Sequence, residues 1–110
     1  MGYSPDHKRM KPKTVKPTAK EKRYHLSVME LPCMGCGIQP AGVAHHPLME
    51  SPLQRSRRDH EFVVPVCYDC HTDIHTFFGN EQRWASSFGV ILPVRYAEEL
   101  RLEAIAEGRL

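Results

Sequence analysis

The sequence lacks the features that mark membrane and secreted proteins. No apolar run approaches the roughly 18 residues that a membrane-spanning helix needs. The first nine residues contain no apolar stretch of the kind that forms the core of a secretory signal, so we expect no such signal. The chain also has no internal repeat. These absences predict a cytoplasmic protein with no membrane partner.

Cysteine is scarce, with four residues among 110. Hydrophobic residues make up 41% of the chain and charged residues 25%, which is typical of a globular protein, and the length allows one small domain with a tail. In a reducing compartment, four cysteines are more often metal ligands than disulfide partners. A bound metal is also one of the usual ways in which so small a domain is stabilised.

Basic charge is concentrated at the start of the chain. Residues 1–30 carry a net charge of +5, whereas residues 31–110 carry −3. Residues 1–20 are rich in Lys, Pro and Thr and nearly devoid of apolar side chains, which predicts a disordered basic arm. Such an arm is either an electrostatic contact for nucleic acid or a solvated tail that aids solubility.

The remainder, residues 21–110, is predicted to form one α+β domain. Its ββα core is expected over about 33–78 and its C-terminal helices over about 80–107. The predicted elements are a helix over 20–30, strands within 41–48 and 61–67, and helices over 68–78, 81–88 and 93–107. A polar loop over 49–60 separates the two strands.

Two CxxC pairs form the strongest chemical signal in the sequence. Cys33 and Cys36 are separated by 30 residues from Cys67 and Cys70. Paired CxxC elements can close a tetrahedral thiolate site, for which Zn²⁺ is well suited. Because cysteines would fill all four positions, the zinc would be structural. An iron–sulfur cluster and a redox dithiol are the alternatives.

Five of the seven histidines lie between residues 45 and 75. His71 and His75 are one turn apart on a predicted helix, so both rings can reach one ion. His45 and His46 are adjacent on a predicted strand, so their side chains point to opposite faces. One of this doublet can join the helix pair around a metal while the other takes a proton from water. Taken singly, each doublet is also compatible with a solvated face or with chance.

The order of these motifs resembles that of the HNH endonucleases. More narrowly, it is similar to the small phage and prophage HNH proteins related to the recombination-enhancement nuclease. The likeness covers about residues 23–106 and implies a zinc-stapled ββα-metal fold with flanking helices. The segments that carry it are Leu31-Pro32-Cys33, the first CxxCG, Ala44-His45-His46, Val63-Val64-Pro65-Val66-Cys67, Cys70-His71, His75 and Gly79-Asn80-Glu81 with Trp84.

The resemblance implies roles for the matching residues. His45 is expected to be a metal ligand and His46 the general base, while either Asp59 or His60 orients the base. The divalent ion, which could be Mg²⁺, Mn²⁺, Ni²⁺ or Zn²⁺, would stabilise charge that develops during phosphodiester hydrolysis. The expected ligands of this ion are His45, His71 and His75.

The implied function is a DNA endonuclease that nicks or cuts both strands with weak sequence specificity. It would act in phage or prophage DNA processing or recombination, in the cytoplasm of a bacterium or an infected host, with phage recombination or packaging proteins as further partners. Arg55, Arg57 and Arg58 in the polar loop suit contacts to the DNA phosphate backbone. A non-catalytic zinc finger that binds nucleic acid, and an adaptor that binds proteins, are the alternatives. The histidines favour the nuclease because a four-cysteine finger does not need them.

Overall fold

The computed structural model describes residues 16–47, 60–78 and 80–110. Within them the fold is α+β, with four α-helices and one two-stranded sheet. The elements are α1 (Ala19–Met29), β1 (Val43–His45), β2 (Val64–Val66), α2 (Tyr68–Thr72), a π-helical segment (Asp73–Phe78), α3 (Glu81–Phe88) and α4 (Pro93–Ala106). In this part of the chain, every helix is too short or too polar to cross a membrane.

Helix α1 begins with a reciprocal cap. The Thr18 hydroxyl accepts a hydrogen bond from the Glu21 backbone N–H at 3.1 Å, and the Glu21 carboxylate accepts one from the Thr18 N–H at 2.9 Å. The helix therefore starts at Ala19, which places the last residues of the predicted arm inside it. Tyr24 and Val28 are buried on its inner face. Residues 1–15 of the predicted arm lie outside the described residues.

The sheet is an antiparallel pair of three-residue strands. Val43 pairs with Val66 and His45 with Val64, while Ala44 lies opposite Pro65. Proline is compatible with this place because both strands of a two-stranded sheet are edges. The Pro65 carbonyl accepts a hydrogen bond from Met34 N–H at 2.9 Å, which fixes the first CxxC turn against β2.

Both strands are shorter than predicted. The predicted strand within 61–67 is paired only over Val64–Val66, because β1 offers three partner residues. The backbone before β1 turns at Gly42, which has a φ of +95°, so pairing does not extend toward Ala41. Phe62 and Val63 remain buried although neither belongs to the ladder. Their apolar side chains led to the prediction of a longer strand, but these residues are apolar because they pack in the core.

The helix predicted over 68–78 contains a change of helix type. It is α-helical to Thr72 and π-helical from Asp73. Short π-helical stretches occur frequently at functional sites because they shift side chains out of the α-helical register. Here the π-helical segment carries His75. The two later helices confirm the predictions: Asn80 caps α3, Gly89 ends it with a φ of +70°, and Pro93 opens α4.

The main core surrounds the only tryptophan. Trp84 is fully buried in a cluster that includes Cys33 and Cys70, so it belongs to the core. Gly35 lies against its ring: a Cβ at that position would be 2.6 Å from Trp84 Cζ2 and 3.4 Å from Cys70 Sγ. The first CxxC turn therefore needs glycine at its centre.

We predict that Gly35→Ala destabilises the protein by about 1–3 kcal/mol, the usual cost of overpacking a core. The added methyl must displace a buried indole ring rather than a flexible surface chain. Urea unfolding followed by Trp84 fluorescence measures the effect. Gly37→Asn is the control, because a Cβ at Gly37 meets open space and Asn tolerates its positive φ. Equal stability of the Gly35→Ala protein and the wild type would contradict this packing.

Candidate metal-binding site

The four cysteines converge although they come from two distant segments. Their Sγ atoms all lie within 4.8 Å of one another, and none forms a disulfide. Cys36 Sγ lies 3.7 Å from Cys67 Sγ. Tetrahedral zinc with Zn–S bonds of about 2.3 Å places its sulfur ligands roughly 3.8 Å apart. The cysteines can therefore bind a metal such as zinc.

Backbone hydrogen bonds fix the turn that carries Cys33 and Cys36. Cys33 N–H donates to the Ile38 carbonyl at 2.8 Å, and Gly37 N–H donates to the Cys33 carbonyl at 3.0 Å, which closes a tight turn. The second pair begins α2, where the Cys67 sulfur accepts a hydrogen bond from Cys70 N–H at 3.4 Å. Each pair is thus positioned by its own local hydrogen bonds.

The electrostatics of the four thiols favour a cation. Burial raises the pKa of Cys33, but hydrogen bonds from the backbone of Cys36, Cys67 and Gly35 outweigh it and lower this pKa to about 7. Burial, followed by the neighbouring thiols of Cys33 and Cys67, raises the pKa of Cys70. One thiolate therefore forms readily, whereas additional negative charge at this place needs a positive ion to compensate it.

A second cluster lies where β1 meets the helix after β2. His45 is buried at the end of β1, and its ring centroid is 5.1 Å from that of His71 and 5.6 Å from that of His75. The ligand nitrogens of the three rings lie within 4.8 Å of one another. Burial and then the neighbouring rings of His45 and His75 lower the pKa of His71. The lowered pKa favours the neutral imidazole, which is the form that binds metals.

Glu81 supports this cluster from the first turn of α3. Its carboxylate oxygen Oε2 lies 2.6 Å from His45 Nε2, and both side chains are almost completely buried. A carboxylate in this position fixes the ring of a metal-binding histidine and leaves its other nitrogen, Nδ1, for the ion. In the sequence, Glu81 belongs to the Gly79-Asn80-Glu81 segment, but no role is predicted for its carboxylate. An acidic residue in the first turn of a helix is common, so the sequence alone did not indicate its partner.

His46 follows directly after β1, which ends at His45 although the predicted strand includes both residues, and lies in a third cluster. Its Nε2 is 3.4 Å from His60 Nδ1, and its ring centroid is 5.7 Å from that of His25. His25 on α1 had no predicted role, because only the packing of α1 against the sheet brings it here. Of the two residues expected to orient the base, Asp59 and His60, the structure places His60 beside His46. Asp59 lies outside the described residues, as do Arg55, Arg57 and Arg58.

Over residues 16–47, 60–78 and 80–110 the structure therefore defines a small α+β protein with one four-cysteine cluster and two three-histidine clusters that can bind metal. The chain belongs to the DUF968 family, described as proteins of unknown function, whose sequence profile matches residues 3–102. No curated protein and no solved structure matches the chain.

We predict that the purified protein carries one zinc ion held by the four cysteines, and that Cys67→Ser loses it. Removal of zinc with a chelator should destabilise the fold by more than about 4 kcal/mol, the value expected for a ligand present at a thousandfold excess over its Kd. Elemental analysis and thermal unfolding, followed by Trp84 fluorescence, measure both effects. Met34→Leu, which keeps all four thiols, is the control. Unchanged stability after complete zinc removal would contradict a structural site.

We predict that Glu81→Gln weakens metal binding at His45, His71 and His75 by roughly 10–100-fold. The amide keeps the shape of the carboxylate but not its charge, so it orients and polarises the His45 ring less strongly. Titration of the zinc-loaded protein with Co²⁺ measures the affinity. Glu99→Gln on the exposed face of α4 is the matched control. Equal Co²⁺ affinity in the two variants would show that Glu81 has no influence on the cluster.

Proposed function

We propose that this protein is a metal-dependent DNA endonuclease of the HNH type. The observation that carries the proposal is that His45, the last residue of β1, and His46, which follows it, belong to two different histidine clusters. His45 lies with His71 and His75, a set suited to one ion, while His46 faces away from that set toward His60. A hydrolase that uses one ion and one general base needs a set of metal ligands and, close to it, a separate side chain that can take a proton.

The residues that would hold the ion are His45, His71 and His75. A divalent ion at this place supplies a positive charge that stabilises the phosphate as negative charge develops on it. Three imidazoles bind ions such as Zn²⁺ and Ni²⁺ more tightly than Mn²⁺ or Mg²⁺, which prefer oxygen ligands. Glu81 keeps the His45 ring in a fixed orientation through its 2.6 Å contact.

His46 would act as the general base. Its neutral imidazole takes a proton from a water molecule as the water oxygen attacks the scissile phosphorus. A new P–O bond forms, the bond to the 3′-oxygen breaks, and the leaving oxygen takes a proton from solvent. His60, whose Nδ1 lies 3.4 Å from His46 Nε2, limits the positions that the base can adopt.

DNA would be bound mainly through its phosphates. The chain carries its excess positive charge in residues 1–30, and the three arginines of the polar loop add to it. Contacts to phosphates give affinity without sequence preference, so we expect weak specificity. Phage or prophage DNA processing and recombination would be a suitable setting for such an enzyme, with recombination or packaging proteins as partners.

We predict that the zinc-loaded protein nicks supercoiled plasmid at low salt with Mn²⁺, Ni²⁺ or Mg²⁺, and not with EDTA. His46→Ala should lower the rate by about 10²–10⁴-fold, the usual contribution of a general base. Gel electrophoresis of the plasmid measures the rate. Gln82→Ala, on the exposed face of α3, is the control for contaminating nuclease and should cut as the wild type does.

The same samples separate this proposal from its alternatives. No cleavage by folded wild type with any of the ions, together with salt-dependent retardation of DNA in a gel, would favour a non-catalytic zinc finger. Neither cleavage nor DNA binding would favour a protein-binding adaptor. Cleavage by His46→Ala at the wild-type rate would show that the base is another residue.

A further inference from the structure

Six of the seven histidines of the chain belong to the two histidine clusters, three in each. The proposed hydrolysis uses His45, His71 and His75 for an ion and His46 for a proton. In that mechanism His60 only limits the positions of His46, and His25, which lies against both residues, has no role. All three of these side chains are half-buried, and their ligand nitrogens lie within 4.8 Å of one another.

We propose that His25, His46 and His60 form a second transition-metal site, and that an ion bound there prevents His46 from acting as a base. The metal site itself rests only on the three side chains. Its inhibitory effect rests on the function proposed above.

The spacing of the rings matches that of ligands around one ion. His46 Nε2 and His60 Nδ1 are 3.4 Å apart. This distance is long for a hydrogen bond, since N–H···O bonds usually measure 2.7–3.2 Å. Tetrahedral zinc with Zn–N bonds of about 2.0–2.1 Å places its nitrogen ligands roughly 3.3–3.4 Å apart. The pair is therefore spaced as two ligands of one ion.

His25 is oriented as a third ligand by the backbone. Its Nε2 lies 2.6 Å from the His60 carbonyl oxygen, which can only accept a hydrogen bond, so Nε2 carries the proton. Nδ1 is then the nitrogen with which His25 would bind an ion. Metal-binding histidines commonly donate their other N–H to a backbone carbonyl in this way, which fixes the tautomer before the ion arrives.

The ligand set determines which ions the site would take. Three imidazoles without a carboxylate favour Zn²⁺, Co²⁺, Ni²⁺ and Cu²⁺ over Mg²⁺ and Mn²⁺. Zn²⁺ or Co²⁺ in excess would therefore occupy the site, and the bound lone pair of His46 could not accept a proton from water. Cleavage supported by Mn²⁺ would then be inhibited by these ions at a place separate from the catalytic ion.

The first test counts bound ions without reference to cleavage. The probe is Co²⁺, added by equilibrium dialysis to protein whose four cysteines already hold zinc, with His7→Gln in every sample to remove the remaining histidine. Elemental analysis should find two Co²⁺ per chain in this protein. His25→Gln and His75→Gln should each bind one, and the double variant none. Circular dichroism and Trp84 fluorescence verify that each variant is folded.

One Co²⁺ per chain that is lost in His75→Gln and retained in His25→Gln would overturn the second site while leaving the proposed function intact. If the protein instead binds one Co²⁺, which His25→Gln loses and His75→Gln keeps, the result would contradict the proposed catalytic ion site. Two Co²⁺ per chain without DNA cleavage would support the second site and count against the endonuclease.

The second test measures how added Zn²⁺ inhibits nicking supported by Mn²⁺ in the wild type and in His25→Gln. The rate of each protein is expressed relative to its own rate without Zn²⁺. We expect the half-inhibiting Zn²⁺ concentration to rise at least tenfold in His25→Gln. Inhibition through displacement of Mn²⁺ would be the same in both proteins. Equal half-inhibiting concentrations would therefore show that an ion on His25 does not control His46.

Discussion

Four cysteine side chains lie with their Sγ atoms within 4.8 Å of one another, an arrangement that can bind a metal such as zinc, and the central part of the fold is built around them. The first CxxC turn is fixed to β2 by the hydrogen bond from Met34 to Pro65, and the second pair begins α2 immediately after β2. Trp84 from α3 packs against the turn at Gly35. The described part of the domain has one two-stranded sheet, and so small a sheet does little to hold these segments together.

Two neighbouring residues at the end of β1, His45 and His46, belong to different histidine clusters because their side chains point in opposite directions. His45 points into the protein, where Glu81 and the two helix histidines surround it. His46 points to the face covered by α1 and meets His25 and His60. Because successive residues of an extended chain face opposite ways, the last residue of β1 and the residue after it can serve two sites with little freedom to exchange roles. A helix could not place neighbouring residues in this manner.

Local patterns in the sequence predicted the elements and the two CxxC pairs well, because these depend on spacing, caps and breakers. Asn80, Gly89 and Pro93 are such signals, and the structure uses each of them as expected. The shortened strands and the π-helical segment depend on tertiary packing, which spacing does not encode. Glu81 and His25 were missed for the same reason. Each is an ordinary helix residue in the sequence, and only the packing of α3 or α1 brings it to a histidine.

The four-cysteine cluster and the cluster of His45, His71 and His75 are connected through helix α2. Cys70 and His71 are neighbours on α2, so the segment that carries two sulfur ligands also carries the first helix histidine. His75 follows within the π-helical continuation, and its ring centroid lies 4.7 Å from that of His71. An ion on the four cysteines would therefore fix the start of the helix on which the cluster of His45, His71 and His75 depends. Pre-organisation of this kind matters because metal ligands must be held within a few tenths of an ångström of their bonding positions. A structural ion would thus contribute to the histidine cluster without contacting it, by fixing the backbone that presents two of its three ligands.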